Sequence, residues 1–388
     1  MRLIRLSVDG LELFSNKIEI DFFAEQNVMS NNTEMVHNPF GKIYTNNVMS
    51  IVGVNASGKT SLLKLIAFSL DFLRGELINN IETRDVLLQC DCATFEIIFY
   101  DDKDSLYKLT SKIAMDEYNE IDERYIVVEE ELYKKKISKI RSKKDLFTDI
   151  DSHFFMRRDT DDKFLKDDMS IAFSISRDNG LILRNLIKIN NRNMLKFSKK
   201  FGFPKELVHF LDSNIDYINY NDESKEIELA FKDKPIIYIN KQSQLFDYMS
   251  SGTIKGITVF LSAMFVFYNG GYLIVDELEN HFNREIVRTL LRFFMNDKIN
   301  KSGATLIFST HYSELLDEIE RSDNIYIVQN KKGIVVQKLS NILNRNDIKK
   351  SDVFKSGYID GTTPYYETYI QFKNAMINGM HVEEKMNE

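Results

Sequence analysis

Runs of apolar residues, spaced now as strands and now as helices, follow one another along the chain. Val48-Met49-Ser50-Ile51-Val52 is nearly continuous, the pattern of a strand covered on both faces. From Thr60 to about Arg74, Leu62, Leu63, Ile66 and Leu70 recur at helical spacing and predict a helix. Ahead of them, Leu3–Val8 and Lys17–Phe23 read as an antiparallel pair added beside the 48–52 strand, and the polar, asparagine-rich stretch 25–47 reads as a loop. Ala93–Tyr100 alternates; a turn at Asp101–Asp104 leads into Leu106–Ile113, which predicts a hairpin, and Tyr125–Leu132 continues the strand character. Residues 145–230 are polar, are expected to be mostly helical or irregular, and sustain no heptad, which argues against a long coiled coil. A second half of the core is expected to begin near Pro235-Ile236-Ile237-Tyr238-Ile239. There Ile254, Ile257, Leu261, Met264 and Phe265 mark a helix, and 271–275 and 304–308 mark two more apolar strands. The alternation is that of an α/β protein.

Composition narrows this picture. A chain of 388 residues with 43% hydrophobic content has room for two domains, or one domain with a large insertion. Its net charge of −7 gives no overall attraction to nucleic acid or anionic membrane. Against it stands one local run from Lys134 to Lys144 with seven cations in eleven residues, either a solvated face or a contact for nucleic acid or an acidic partner. Cys90 and Cys92 are too close for an ordinary bridge and too few for a zinc site. The amino-terminal residues lack the pattern of a signal peptide, and no apolar run near membrane-spanning length stands out. The expectation is a cytoplasmic protein with no membrane partner.

The chemistry is concentrated at four places. Gly53-Val54-Asn55-Ala56-Ser57-Gly58-Lys59-Thr60 fits G-x-x-x-x-G-K-[ST] and lies between a strand and a helix, as a phosphate-binding loop requires. With Ser61 these residues are the expected contacts of a nucleoside triphosphate. Lys59 supplies charge to the outer phosphates and Thr60 a hydroxyl to Mg²⁺. Gly271–Glu277 is an apolar strand ending in two carboxylates, read as Asp276 for the metal and Glu277 as general base. Ser250, Ser251 and Gly252 open a helix and form a second expected anion site, which another chain's phosphates would face. Ala304–His311 is a strand ending in a histidine able to reach the γ-phosphate, so His311 joins Glu277 and Lys59 as a catalytic candidate. The remaining histidines (37, 153, 209, 281 and 381) read as structural.

This order of motifs resembles the ABC-type ATPase heads of the SMC, RecF and OLD families. In particular it is similar to the small bacterial AAA/ABC-like ATPases of phage-defence operons, such as the ATPase subunits of Septu- and PARIS-type systems. The residues that carry the resemblance are Gly53–Thr60, Ser250–Thr253, Asp276–Asn280 and Ser309–His311, with Tyr358–Pro364 similar to a closing Tyr-x-x-Gly…Pro segment. It implies a P-loop ATPase head with a mixed sheet and a largely helical insertion. An amino-terminal lobe would span 1–100, a hairpin and mainly helical insertion 101–234, and a carboxyl-terminal lobe 235–388. It also implies a homodimer, or a higher oligomer, that sandwiches ATP and Mg²⁺. Lys59 and Thr60 of one subunit would face Ser250, Ser251 and Gly252 of the other, with 280–283 crossing between sites. Asn283 stands where relatives often carry histidine or aspartate, and Gln89 is a metal candidate by position. The implied function is an ATP-hydrolysing sensor or regulator of a separate effector, such as a nuclease, in antiphage defence. A DNA-binding repair ATPase is the alternative, with nucleic acid at 134–144. A transporter subunit fits less well, because Ser-Ser-Gly-Thr departs from a Leu-Ser-Gly-Gly-Gln signature.

Overall fold

A computed structural model describes residues 1–388 except 29–32, 117–122, 160–164, 189–200, 222, 225, 281, 344–347, 357–358, 360–366, 368 and 378–388. The segment expected at 358–364 therefore lies, apart from Ile359, outside the described residues.

Two six-stranded sheets frame the molecule. The first is antiparallel and contains β1 (Arg2–Asp9), β2 (Ile18–Asp21), β6 (Cys92–Tyr100), β7 (Ser105–Met115), β8 (Tyr125–Lys136) and β9 (Phe154–Arg157), in the order β2-β1-β6-β7-β8-β9. The second holds β5 (Val48–Val52), β10 (Leu183–Leu186), β14 (Tyr272–Val275), β15 (Thr305–Thr310), β16 (Ile325–Asn330) and β17 (Ile334–Lys338), in the order β10-β14-β15-β5-β16-β17. All its pairings are parallel except β16 with β17, so the sheet is mixed.

Helix α1 (Lys59–Leu73) lies between the sheets and is buried almost all round, because apolar side chains leave it in both directions. Alternation along β5 sorts the layers. Met49 and Ile51 join α1 and the antiparallel sheet in one core, while Val48 and Val52 point into another. That second core is closed by α4 (Ser251–Asn269) and α5 (Arg284–Phe294). Between α1 and α4 in the chain come α2 (Phe173–Asn179) and α3 (Lys205–Leu211).

Several expectations change. β1 and β2 do pair antiparallel, but they extend β6 in the antiparallel sheet and do not lie beside β5. A backbone-pairing partner so distant in sequence is invisible to periodicity. The stretch 25–47 contains a hairpin, β3 (Val36–Phe40) with β4 (Ile43–Asn46). Asn38 makes the turn by donating to the carbonyls of Gly41 and Ile43, at 3.1 and 2.8 Å. This hairpin feeds the start of β5, the end away from Gly53. Over 145–230, short helices are accompanied by β9, β10, β11 (Ile215–Tyr220) and β12 (Ile227–Phe231), so helix is only part of the described insertion. β13 (Ile237–Ile239) does not open the second half of the core. It is the outer strand of a three-stranded sheet, β11-β12-β13, that packs with α3 against α4. That helix is long and apolar enough to cross a membrane by length and composition, contrary to expectation, but its apolar faces are buried between two cores.

One buried ion cluster ties the two sheets together. Asp21 of β2 receives Arg5 Nε at 2.6 Å and Lys338 Nζ of β17 at 2.5 Å, and Lys338 also reaches Glu25 at 2.8 Å. Burial opposes ionisation of Asp21, but Lys338 and Arg5 more than offset it and hold the carboxyl below its usual value. Lys338→Met is expected to cost about 3 kcal/mol in urea unfolding at pH 7, because it leaves the buried Asp21 carboxylate with Arg5 alone. A group with a lowered folded value stabilises above its unfolded value of about 3.9, and that contribution is lost as pH falls through the folded value. The difference between variant and parent should therefore shrink in acid; an unchanged difference at pH 2 would contradict this account.

Candidate functional site

β5 delivers the chain into the loop 53–60 at the carboxyl-terminal edge of the parallel sheet, where strands of such sheets present their ligand sites. Two glycines are sterically required there. A Cβ on Gly53 would lie 2.3 Å from the Val328 carbonyl oxygen and 2.5 Å from Ser57 Oγ. Gly58 has φ +104° and packs under Ile334, whose side chain a Cβ would meet at 2.5 Å. The left-handed turn at Gly58 aims the first turn of α1 at the loop's hollow.

Lys59 is 5% exposed. Its Nζ donates to the carbonyls of Gly53 at 3.0 Å and Val54 at 2.9 Å, so the side chain braces its own loop. Burial lowers the ammonium's pKa, against the opposing pull of Asp276, Glu277 and Glu279. The same Nζ lies 3.3 Å from His311 Nδ1. With Nδ1 as the acceptor, the ring proton sits on Nε2, 3.2 Å from Glu277 Oε1. One imidazole thus joins the loop lysine to the second acid of the 271–277 strand.

Glu277 has φ +47°, a conformation that costs a non-glycine residue roughly 1 kcal/mol. Its surroundings hold it there. Its N–H donates to Ser309 Oγ at 2.7 Å, its carbonyl accepts Asn280 N–H at 2.8 Å, and Asn280 Nδ2 donates to Oε2. Ser309 Oγ donates in turn to Asp276 Oδ1, so one hydroxyl sets the spacing of both acids. Glu279, nearly buried, accepts the His311 N–H.

Thr60 Oγ1 donates to Asp276 Oδ2 at 2.6 Å. A hydroxyl and a carboxylate in contact beside the loop are the hard oxygen donors that Mg²⁺ takes when phosphates and water complete its shell. Among the described residues no group of three or more His, Cys, Asp or Glu is placed to hold a metal alone, so the residues fit a metal bound together with a nucleotide.

The cleft over this machinery measures about 1020 Å³. Of the expected site residues, Asn55 through Ser61, Glu277 and His311 line it, while Gly53 and Val54 lie beneath, bonded to Lys59. Gln89 is exposed on a left-handed turn and does not line the cleft. Ser250, Ser251 and Gly252 do not line it either. Ser250 caps α4, its Oγ accepting Thr253 N–H at 3.0 Å, and Ser250 and Ser251 are exposed. Asn283 caps α5 by accepting Glu285 N–H at 3.0 Å. His37, His153 and His209 are also absent from the lining; 281 and 381 fall outside the described residues.

Sequence reasoning missed one wall of the cleft. Glu12 and Leu13, with Asn330, Lys332, Gly333 and Ile334 from the β16–β17 turn, also line it. Ile334 N–H donates to the Leu13 carbonyl at 2.9 Å and Ser15 N–H to the Ile334 carbonyl at 3.0 Å. The turn itself is legible in Asn330-Lys331-Lys332-Gly333, but its meeting with Gly58 is not.

Comparison with known proteins adds a family. The model of the family described as AAA domain, putative AbiEii toxin, Type IV TA system matches residues 48–317, more than half of the chain. Among solved structures, the SMC head domain from Thermotoga maritima is similar at TM-score 0.44 and 11% identity, over 87% of this chain and 99% of that one. A structure described as the recombination mediator protein RecF-ATPrS in the RecFOR pathway is similar at TM-score 0.37 and 10% identity, over 87% and 98%. No curated protein matches.

Proposed function

The chain belongs to this AAA-domain family, and from that premise we propose that it binds and hydrolyses ATP. The observation that carries the reading is His311 joining Lys59 and Glu277 through its two ring nitrogens in a cleft floored by the phosphate loop. In this reading the loop's N–H groups and Lys59 hold the phosphates, and Thr60 and Asp276 hold Mg²⁺. Mg²⁺ held there would supply charge against that developing on the phosphates. Glu277 takes the proton from a water as its oxygen bonds to the γ-phosphorus. The bond to the β–γ bridging oxygen breaks and ADP leaves. His311 orients Glu277 through its Nε2–H.

Ser250, Ser251 and Gly252 would complete the site of a second copy. The exposure of Ser250 and Ser251, and the absence of all three from the cleft of their own chain, support that arrangement. Closure of the ATP-bound dimer would control a separate effector protein in bacterial defence. The family's description as part of a toxin–antitoxin system supports a two-component setting.

The test is phosphate release from Mg-ATP by the wild-type chain and by His311→Ala. The variant should turn over up to about a hundredfold more slowly, with ATP affinity within a few-fold. Equal turnover would remove His311 from the mechanism, and no wild-type release under any condition, dimeric or effector-bound, would remove hydrolysis.

A further inference from the structure

The basic run at 134–144 divides once its contacts are seen. Lys135 is buried and donates to the carbonyls of Asp145 and Thr148, and Lys143 to those of Glu25 and Gln26. These two cations serve the fold. Lys134 and Lys139 have no carboxylate partner among the described residues. Lys134 Nζ instead sits 5.1 Å from the Phe155 ring centre, and Lys139 Nζ 3.1 Å from His153 Nε2. Lys134 lies against β9, and Lys139 against the residue that precedes it.

β9 is an outer strand, and among the described residues no strand pairs with its far edge. Phe154 is 59% exposed and Phe155 48%. Proteins usually blunt such an edge with charge, proline, a cover, a bulge or a short strand; β9 is four residues long with a bulge at Phe155, and carries no proline. The only charge on β9 is Arg157, which Glu131 neutralises. Phe154 packs edge-on to Tyr133 on one face, Phe155 edge-on to Tyr107 on the other, and the register with β8 skips Phe155. A backbone edge unpaired among the described residues, with a phenylalanine on each face and lysines without a carboxylate partner nearby, has the chemistry of a strand acceptor.

We propose that the outer edge of β9 takes an extended, acidic and apolar segment of a partner protein as an added strand. Its backbone would pair with β9, its apolar side chains would cover Phe154 and Phe155, and its carboxylates would meet Lys134 and Lys139. Charge and backbone chemistry decide between occupants. A second copy docking through its own β9 would set these lysines against each other. A phosphate backbone carries no ladder of N–H and C=O groups to pair with a strand edge. An alternating acidic peptide supplies both the opposite charge and the ladder.

The experiment uses the full chain and a short fluorescent peptide alternating glutamate with valine, read by anisotropy and by hydrogen exchange at residues 154–157. Saturable binding with new protection of these amides is expected. The double variant Lys134→Glu, Lys139→Glu should weaken it about tenfold or more, and N-methylation of the peptide backbone should abolish it. Phe154→Ala, whose ring is mostly exposed, should also weaken binding while thermal unfolding and ATP turnover stay unchanged. No saturable binding, or binding that tolerates N-methylation, overturns the proposal. So does preferential binding of an oligodeoxythymidylate that the same lysine variant weakens, which would make the surface a nucleic-acid site.

Discussion

Lys59→Ala is expected to abolish measurable ATP binding. A charge-assisted bond to phosphate contributes about 1.5–3 kcal/mol, and the upper figure alone is roughly a hundredfold in affinity. The loss extends beyond one contact. Lys59 Nζ also ties the carbonyls of Gly53 and Val54 together, so its removal slackens the loop whose N–H groups would face the phosphates. Titration with a fluorescent ATP analogue measures the change. Because Lys59 is buried, the variant's unfolding should be recorded alongside, and Lys59→Met, which keeps the length of the stem, separates charge from packing. Both variants should lose binding while remaining folded. Undiminished affinity in either would mean that the phosphate cradle lies elsewhere.

Glu277→Gln should have the opposite signature, with ATP retained and turnover lost. Removing a general base costs about 10²- to 10⁴-fold. Glutamine keeps the volume, and its side-chain oxygen can still accept from His311 Nε2 or Asn280 Nδ2, so the left-handed backbone at 277 keeps its supports. A protein that binds ATP without consuming it should accumulate in whatever state ATP favours. Under the two-subunit reading that state is a dimer, visible by size-exclusion chromatography in Mg-ATP and absent without nucleotide. A folded, ATP-bound monomer under saturating Mg-ATP would sink the sandwich arrangement and leave Ser250–Gly252 as an ordinary helix cap.

The candidate site was largely legible from sequence because its motifs are local. Gly53, Gly58, Lys59 and Thr60 stand at fixed spacing in one loop, and Asp276, Glu277 and His311 each end an apolar run. Their convergence follows from parallel pairing of β14, β15 and β5, which brings three strand ends to one edge. Other features escaped. Ser309 is an unremarkable hydroxyl in a strand until its contacts with both acids are seen. Glu279 resembles any surface acid until it is found buried beneath His311. Gln89, chosen by position alone, does not reach the cleft.

Spacing within a few residues was enough to read the strands and helices around the loop 53–60, and to pick out the loop, the acids and the histidine of the candidate site. It took the folded chain to show that β1 and β2 build a second sheet, that the β16–β17 turn walls the cleft, and that no strand among the described residues pairs with the outer edge of β9. Each of these is a pairing, or a missing pairing, between segments far apart in the chain. Backbone hydrogen bonds carry no side-chain signature of their partner, so periodicity can announce a strand but not name its neighbour.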